Sequence, residues 1–344
     1  MIVVFPTYAR RLADAECWRA TVAGMVTRPL PARSRRRSLA VAVLKRLLEL
    51  DEADLDTDVF RRRAEAFLFQ RVAGARVRVE VGDRSFTAGV SDRTGHFQAA
   101  FDLPSDFVDR WATADGGRPQ IACRAVLDEA DEADPSATGT VDLIEPAGLS
   151  VISDIDDTVK VTNVADTKEL LRNTLLREFA AVPGIAAVYR RWEQLGTAFH
   201  YVSASPWQLS NCLGGFIAAA GLPAGSLHLK LFRLKDSTPL GRLPSRKRSK
   251  RRAIEQVMDD FPGRRFLLVG DSGERDPEVY AEVARRRPEQ VTGIAIRQVD
   301  GRRRPLHRQR ARLDRVARKL PEGFLTVFTE PEALADCFPC CQQP

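Results

Sequence analysis

Apolar positions along this chain follow two regimes. Between residues 75 and 127 they alternate with polar ones, in Ala75–Val81 (ARVRVEV), Ser85–Val90 (SFTAGV), His96–Leu103 (HFQAAFDL) and Gln120–Leu127 (QIACRAVL). Successive side chains of a strand point to opposite faces, so a period of two predicts strands buried on one side. Gly82-Asp83 and Arg93-Thr94-Gly95 supply turns between them, at the short spacing of an antiparallel β-sandwich. From about residue 148 the runs become continuously apolar. Strands are predicted at Leu149–Ser153, Thr197–Ser203, Leu227–Phe232, Arg265–Gly270 and Val291–Arg297. Helical patterns fall between and after them, at Lys168–Ala180, Ile185–Gly196, Trp207–Ala220, Lys250–Asp260 and Pro277–Arg287. Strand and helix in alternation predict a parallel sheet with helices on both faces, an α/β arrangement. Leu39–Leu50 (LAVAVLKRLLEL) reads as helical, and the acidic stretch 128–139 (DEADEADPSATG) reads as a solvated loop. The chain therefore divides into a β-rich part, residues 1–147, with a helical segment near 39–70, and an α/β part, residues 148–344.

The first apolar run of the α/β part ends in carboxylates: Val151-Ile152-Ser153-Asp154-Ile155-Asp156-Asp157-Thr158. An extended backbone sends Asp154 and Asp156 to the same side, at the carboxyl edge of a buried strand, where open α/β sheets bind ligands. Two like charges held together favour a shared proton or a cation. The pair suits phosphoryl transfer, with one Asp as nucleophile, the other as acid/base, and Mg²⁺ beside them. The competing reading is a capped turn, with Asp154 or Asp157 as an N-cap supported by Thr158.

Three later segments bear on this choice. In Phe199–Trp207 (FHYVSASPW) a strand ends at Ser203, a hydroxyl suited to phosphoryl oxygens beside the free N–H groups of a following helix. Ser205 fits an ordinary N-cap better. Lys250 opens a helix whose apolar stripe is Ile254, Val257, Met258 and Phe261, and a cation there opposes the helix dipole. Charge neutralisation on a transferring phosphoryl group accounts for that misfit. Lys247, Arg248 and Arg251, in the basic run around it, read as a solvated loop or a general attraction for anions. In Phe266–Pro277 (FLLVGDSGERDP) another buried strand ends in Asp271, placed to complete an oxygen-rich Mg²⁺ shell. Gly270 and Gly273 permit a tight loop, and Asp276 before Pro277 has the look of an N-cap followed by N1, with a hydrogen bond to Lys250 or a metal water also in reach.

Composition adds little. The 344 residues are 44% hydrophobic and carry a formal net charge of +7, which favours acidic or phosphorylated partners. Basic residues lack the interleaved aromatics of a single-strand nucleic-acid groove. Cys17, Cys123 and Cys212 are isolated and read as small core residues, whereas Cys337, Cys340 and Cys341 read as a reduced tail. With no secretory pattern and no apolar run of bilayer length, a cytoplasmic location is expected.

In this order, DxDxT, a strand-end Ser, a Lys and GDxxxxD resemble the haloacid dehalogenase-like phosphatase superfamily. More closely, SDIDDT-VK, YVSASPW, KxxxIxxxxxxFP and LLVGDSGERDPEVY resemble the phosphatidate phosphatase catalytic domain typified by the fungal actin-patch enzyme and its bacterial relatives, over residues 148–300. The N-terminal part resembles, less specifically, the accessory domain of the bacterial members. The resemblance implies a Rossmann-like, haloacid dehalogenase-type parallel sheet preceded by a smaller β-sandwich-like domain. It implies Asp154 as nucleophile and Asp156 as acid/base, Ser203 and Lys250 as phosphate binders, and Asp271 and Asp276 with the two acids as support for Mg²⁺. Asp157 stands where many superfamily members carry Gly. The implied reaction is hydrolysis of phosphatidate to diacylglycerol and phosphate, at a membrane surface met peripherally by the basic Lys230–Arg252 stretch. The competing readings are a phosphatase of a soluble phosphomonoester or nucleic-acid end, and a catalytically idle module that binds a membrane or partner.

Overall fold

The computed structural model describes residues 1–12, 16–31, 33–35, 37, 38, 42, 57–115, 118–128, 136–162, 173, 176–230, 246–299 and 305–335. The expected Leu39–Leu50 helix, most of the basic stretch 230–252 and the three C-terminal cysteines fall outside these residues. So does much of the expected Lys168–Ala180 helix, and residues 176–180, which are described, are not helical.

Sixteen strands form two sheets among the described residues. The first sheet contains β1 (Ile2–Val4), β2 (Thr7–Arg11), β3 (Cys17–Pro29), β4 (Phe69–Arg71), β5 (Arg76–Val81), β6 (Arg84–Val90), β7 (His96–Pro104), β8 (Thr113–Asp115), β9 (Arg118–Leu127) and β10 (Ala137–Ile144). The second contains β11 (Gly148–Ser153), β12 (Ala198–Pro206), β13 (Ser226–Lys230), β14 (Arg264–Asp271), β15 (Val291–Arg297) and β16 (Leu325–Phe328), in the order β13-β12-β11-β14-β15-β16 and parallel throughout. Helices α1 (Asp58–Glu65) and α2 (Ser105–Trp111) accompany the first sheet. Helices α3 (Ile185–Gln194), α4 (Ser210–Ala219), α5 (Arg246–Asp260), α6 (Asp276–Arg286) and α7 (Leu306–Ala317) accompany the second.

The apolar runs of β11 and β14 reflect burial on both faces. Val151, Leu267 and Val269 enter one core with Tyr189 and Trp192 of α3. Their neighbours Ile152, Phe266 and Leu268 enter the opposite core with Ile254 and Val257 of α5 and Tyr280 of α6. Period-two alternation thus persists inside the runs, but both phases are apolar. Helix α3 buries Ile185, Val188, Tyr189 and Trp192, the i, i+3, i+4, i+7 stripe of an amphipathic helix. The mixed α/β expectation holds for this part. β16 and α7 were not anticipated.

The first sheet departs from the expected sandwich. Its strands, antiparallel apart from the β2/β10 pair, hydrogen-bond into one continuous sheet. The sheet curls around a single core that includes Val22, Val79, Phe97 and Ile121. Its end strands, β6 and β7, meet where Phe86 stacks on Phe101 at 4.1 Å. Alternation reports which face is buried, not which strands pair. The solvated-loop reading of 128–139 also fails at its end, because Ala137, Thr138 and Gly139 pair with β9. Cys123 is buried, Cys17 and Cys212 are half-buried, and all three are free thiols.

The two sheets share packing. Tyr8 of β2 and Ile144 of β10 sit in the α5/α6 core of the parallel sheet. Tyr8 donates to Asp260 Oδ2 at 2.6 Å and lies edge-on to His200, 5.5 Å away. The Leu227 amide donates to the Pro6 carbonyl at 3.0 Å. Arg264 ties down the connection from β10 to β11 by donating to the carbonyls of Glu145 (2.8 Å), Ala147 (2.5 Å) and Leu149. Behind Tyr8, Ser226 Oγ lies 2.8 Å from His200 Nδ1 and 2.9 Å from His228 Nε2.

Burial pushes the His228 imidazole down to about 4, and His200 well below the ordinary histidine value, with the neighbouring His228 adding to the effect. Both are neutral in the folded protein, while unfolded histidines charge near pH 6.5. Below that pH the unfolded chain binds more protons, so stability is full above about 6.5 and is lost as pH falls toward 4. The melting temperature is expected to decline across that window, and less steeply in His228→Asn. An identical decline in the variant would remove His228 as a cause.

Candidate active site

Strand β11 hands the chain to Asp154, whose amide extends the ladder by donating to the Val269 carbonyl at 2.8 Å. The loop that follows folds back on itself. Asp157 adopts a left-handed conformation, φ 55°, which costs most side chains free energy but which Asp tolerates better than most. It is held there on three sides. Its amide donates to the Lys160 carbonyl (2.7 Å), its Oδ1 accepts the Thr162 amide (2.7 Å), and its carbonyl accepts Arg297 Nη1 (2.8 Å). The same conformation is natural to Gly, which has no Cβ to clash.

The fold gives Asp154 and Asp156 separate partners. Asp154 Oδ1 accepts Lys250 Nζ at 2.6 Å, and the same ammonium donates to Asp276 Oδ1 at 2.5 Å. Lys250 also lies over the Tyr280 ring, 5.7 Å from its centre. The carboxylates of Asp154, Asp271 and Asp276 offer oxygens all within 4.8 Å of one another, and all three residues are buried. The Asp156 carboxylate is not in this group. It takes Lys160 Nζ at 2.7 Å and Thr162 Oγ1 at 2.9 Å on Oδ1. On Oδ2 it takes Ser205 Oγ at 2.7 Å and Ser203 Oγ at 3.1 Å.

The charges follow this division. Burial works to raise the proton affinity of Asp156, but Lys160 and the hydroxyl hydrogen bonds outweigh it and hold the group below the ordinary carboxylate range. Burial drives Asp154 well upward, opposed by Lys250 and reinforced by Asp276 and Asp271. Asp271 rises for the same reasons, burial first and then Asp276. On Lys250, burial is outweighed by Asp154 and Asp276, so it holds its proton more firmly than usual. Three buried acids share one ammonium, which leaves two excess negative charges when all are ionised. Asp271 Oδ1 accepts the amides of Gly273 (2.5 Å) and Glu274 (3.0 Å), but its buried Oδ2 has no partner. An all-oxygen site with surplus negative charge and an unsatisfied carboxylate oxygen fits a hard divalent cation such as Mg²⁺.

Each residue singled out in the sequence lies at this carboxyl edge, though three reach it for other reasons than expected. Helix α5 is already formed at Arg246, so Lys250 lies beyond its first turn and the argument from an opposed dipole fails. Asp276 is the first residue of α6, not its cap. Arg275 is the cap, no side chain caps the helix, and the Asp276 carboxylate turns inward to Lys250. Ser205 is no N-cap either, since its hydroxyl goes to Asp156 and Ser203 Oγ accepts its amide at 2.9 Å. Lys160 and Thr162 were missed. Lys160 is 1% exposed, and a lysine between Val159 and Val161 in DDTVK was the available signal. Gly270 matters for space rather than for φ, because a Cβ there would lie 2.4 Å from Asp276 Oδ2 and 2.7 Å from the Tyr280 ring.

Comparison with known proteins agrees with the geometry. Residues 149–298 match the family model described as the phosphatidate phosphatase APP1 catalytic domain. The chain is 30% identical to phosphatidate phosphatase APP1 of Saccharomyces cerevisiae over 254 residues, 70% of this chain and 41% of the yeast protein. It is 35% identical to an uncharacterised protein of Schizosaccharomyces pombe over 163 residues, 46% of this chain and 26% of that protein. The matched regions thus span less than half of either relative. Among solved structures, a carbohydrate esterase aligns over 88% of this chain and 89% of its own with 9% identity, but its TM-score of 0.22 bears on neither fold nor function.

Removing Lys250 leaves two buried carboxylates facing each other, and breaking a buried pair in this way costs roughly 3–5 kcal/mol. Urea unfolding of Lys250→Met is expected to show a loss of about 3 kcal/mol, and an unchanged midpoint would mean that the acids do not need it. Gly270→Ala is expected to cost about 1–3 kcal/mol through overpacking against Asp276.

Proposed function

Residues 149–298 belong to the family of the phosphatidate phosphatase APP1 catalytic domain, and from that premise we propose that this chain is a Mg²⁺-dependent phosphoric monoester hydrolase that turns phosphatidate into diacylglycerol and phosphate. The observation that carries this reading is the gathering of three buried carboxylates, Asp154, Asp271 and Asp276, around the one ammonium of Lys250, with Asp271 Oδ2 buried and unpartnered. A core built only for stability has no use for such a cluster. In this reading residues 148–344 form a haloacid dehalogenase-like catalytic domain and residues 1–147 an accessory one. No helix among the described residues is long and apolar enough to cross a membrane. In this reading the protein is cytoplasmic and meets the lipid surface peripherally.

Asp154 is the nucleophile. One of its oxygens attacks phosphorus, the bond from phosphorus to the ester oxygen breaks, and an aspartyl-phosphate results. Asp156 protonates the departing oxygen, then accepts a proton from the water that hydrolyses the aspartyl-phosphate. Lys160 and Ser205 keep Asp156 ionised in the free site. A phosphate dianion arriving beside it would raise its proton affinity, the direction an acid requires. Ser203 and Lys250 would bind phosphoryl oxygens, Lys250 neutralising charge that spreads onto them in a loose transition state. Asp154, Asp271 and Asp276, with the backbone carbonyl of Asp156, would hold Mg²⁺, which supplies further charge neutralisation when bound.

Asp154→Asn is expected to lower turnover of dispersed phosphatidate by more than about a thousandfold with an unchanged circular dichroism spectrum. Near-normal turnover would end the assignment. Mg²⁺ is expected to raise the melting temperature of the wild type, as a ligand of the folded state does, and to do so much less in Asp271→Asn. Equal shifts would remove Asp271 from the metal site.

A further inference from the structure

A cavity of about 220 Å³ opens on the phosphate side of the site and is bounded by both sheets. Its polar lining includes Ser203, Lys230, Ser249 and Lys250. This is the Lys250 whose ammonium is 2.6 Å from Asp154. Its apolar and aromatic lining includes Trp207 and Leu227 of the parallel-sheet part, His96 of β7 and Phe5 of the link between β1 and β2. The rings form a ladder. Phe5 stacks on His96 with centres 6.4 Å apart, and Trp207 follows at 6.1 Å from Phe5 and 5.2 Å from Phe69. Phe5 is not free to leave, since its amide donates to the Ala23 carbonyl (2.9 Å) and the next residue's carbonyl accepts the Leu227 amide (3.0 Å). Burial also lowers the proton affinity of His96, so it presents an uncharged ring at neutral pH.

The geometry points to a composite substrate pocket: Phe5 and His96 of the β-rich part, with Trp207, receive the carbon skeleton of the leaving group of a phosphomonoester whose phosphate lies at Ser203 and Lys250. This rests on the phosphatase reading above and adds a selectivity that the catalytic residues alone do not supply. A pocket that combines charged donors with apolar and aromatic side chains suits an amphiphilic ester, anionic at its head and apolar within a few atoms of the phosphorus. At about 220 Å³ it lies below the roughly 300–1,000 Å³ of pockets that enclose drug-sized ligands. It therefore reads the first carbons beyond the phosphate, and longer chains would extend past it. An aryl phosphate and a short-chain phosphatidate share this chemistry, while glycerol 3-phosphate lacks it.

The test compares kcat/KM of the full-length protein for p-nitrophenyl phosphate, dihexanoyl phosphatidate and glycerol 3-phosphate. The wild type is expected to prefer the first two over the third by at least about tenfold. Phe5→Ala should reduce that ratio about tenfold, mainly through KM, and Phe5→Leu should restore most of it. Ala253 lines the same cavity, and Ala253→Phe, which fills it from α5, should reduce the ratio as well if Phe5→Ala fails to fold. A wild type that turns over all three alike, or a Phe5→Ala loss that falls equally on all three or on kcat alone, overturns the pocket while leaving the phosphatase reading in place. Turnover of none of the three, with Asp154→Asn indistinguishable from wild type, overturns that reading and the pocket with it. Between the two amphiphiles, a ratio lost for p-nitrophenyl phosphate alone would overturn the lipid as occupant, and a loss on both supports it.

Discussion

A lysine ammonium lies between two buried carboxylates at the carboxyl edge of the parallel sheet, and much of the α/β part is arranged around it. Lys250 reaches Asp154 and Asp276 at 2.6 and 2.5 Å with nearly no exposure at any of the three. Charges taken this far from water are tolerated only when paired and hydrogen-bonded. The constraint extends outward. Gly270 must carry no side chain, so that Asp276 can approach. Helix α5 must pass the end of β11 with Lys250 facing inward, and its apolar stripe, Ile254, Val257 and Met258, holds it there. Even so, the pairing is incomplete, since Asp271 joins the same cluster without a cation of its own. That imbalance is what separates the site from an ordinary buried ion pair.

The second acid has a different arrangement. Asp156 has its own lysine, Lys160, which lies over the Phe179 ring at 4.4 Å, and three hydroxyls complete its shell. Two carboxylates two residues apart thus acquire opposite character, Asp154 pushed upward in proton affinity and Asp156 held down. In the empty site these directions are the reverse of those the proposed nucleophile and acid need, and a cation beside Asp154 and a phosphate dianion beside Asp156 would each oppose them. The left-handed turn at Asp157 makes the division possible by bending the chain so that Lys160 returns to Asp156.

The first sheet contributes more than an appendage would. Tyr8 enters the core beneath α5, and Arg264 pins the connection between the sheets. On the side facing the site, Phe5 and His96 meet Trp207. The two histidines buried behind Tyr8 are held neutral by burial, so this junction is expected to weaken as pH falls.

Much of this was legible in the chain itself. Period-two and continuous apolar runs located nine of the sixteen described strands, and the alternation of strand and helix specified a parallel sheet. Strand ends carrying Asp154, Ser203 and Asp271 specified one edge as the candidate site, because in a parallel sheet all such ends lie together. Local sequence carries this information, since side-chain periodicity and strand direction are properties of the segment alone. Which strands pair, that the first sheet curls around one core, that α5 is already helical at Arg246, and that Asp276, Ser205 and Lys160 turn inward were decided only by the tertiary structure. Those choices depend on a partner distant in sequence, a carboxylate or a ring that must be matched before it can be buried, and no single segment specifies that match.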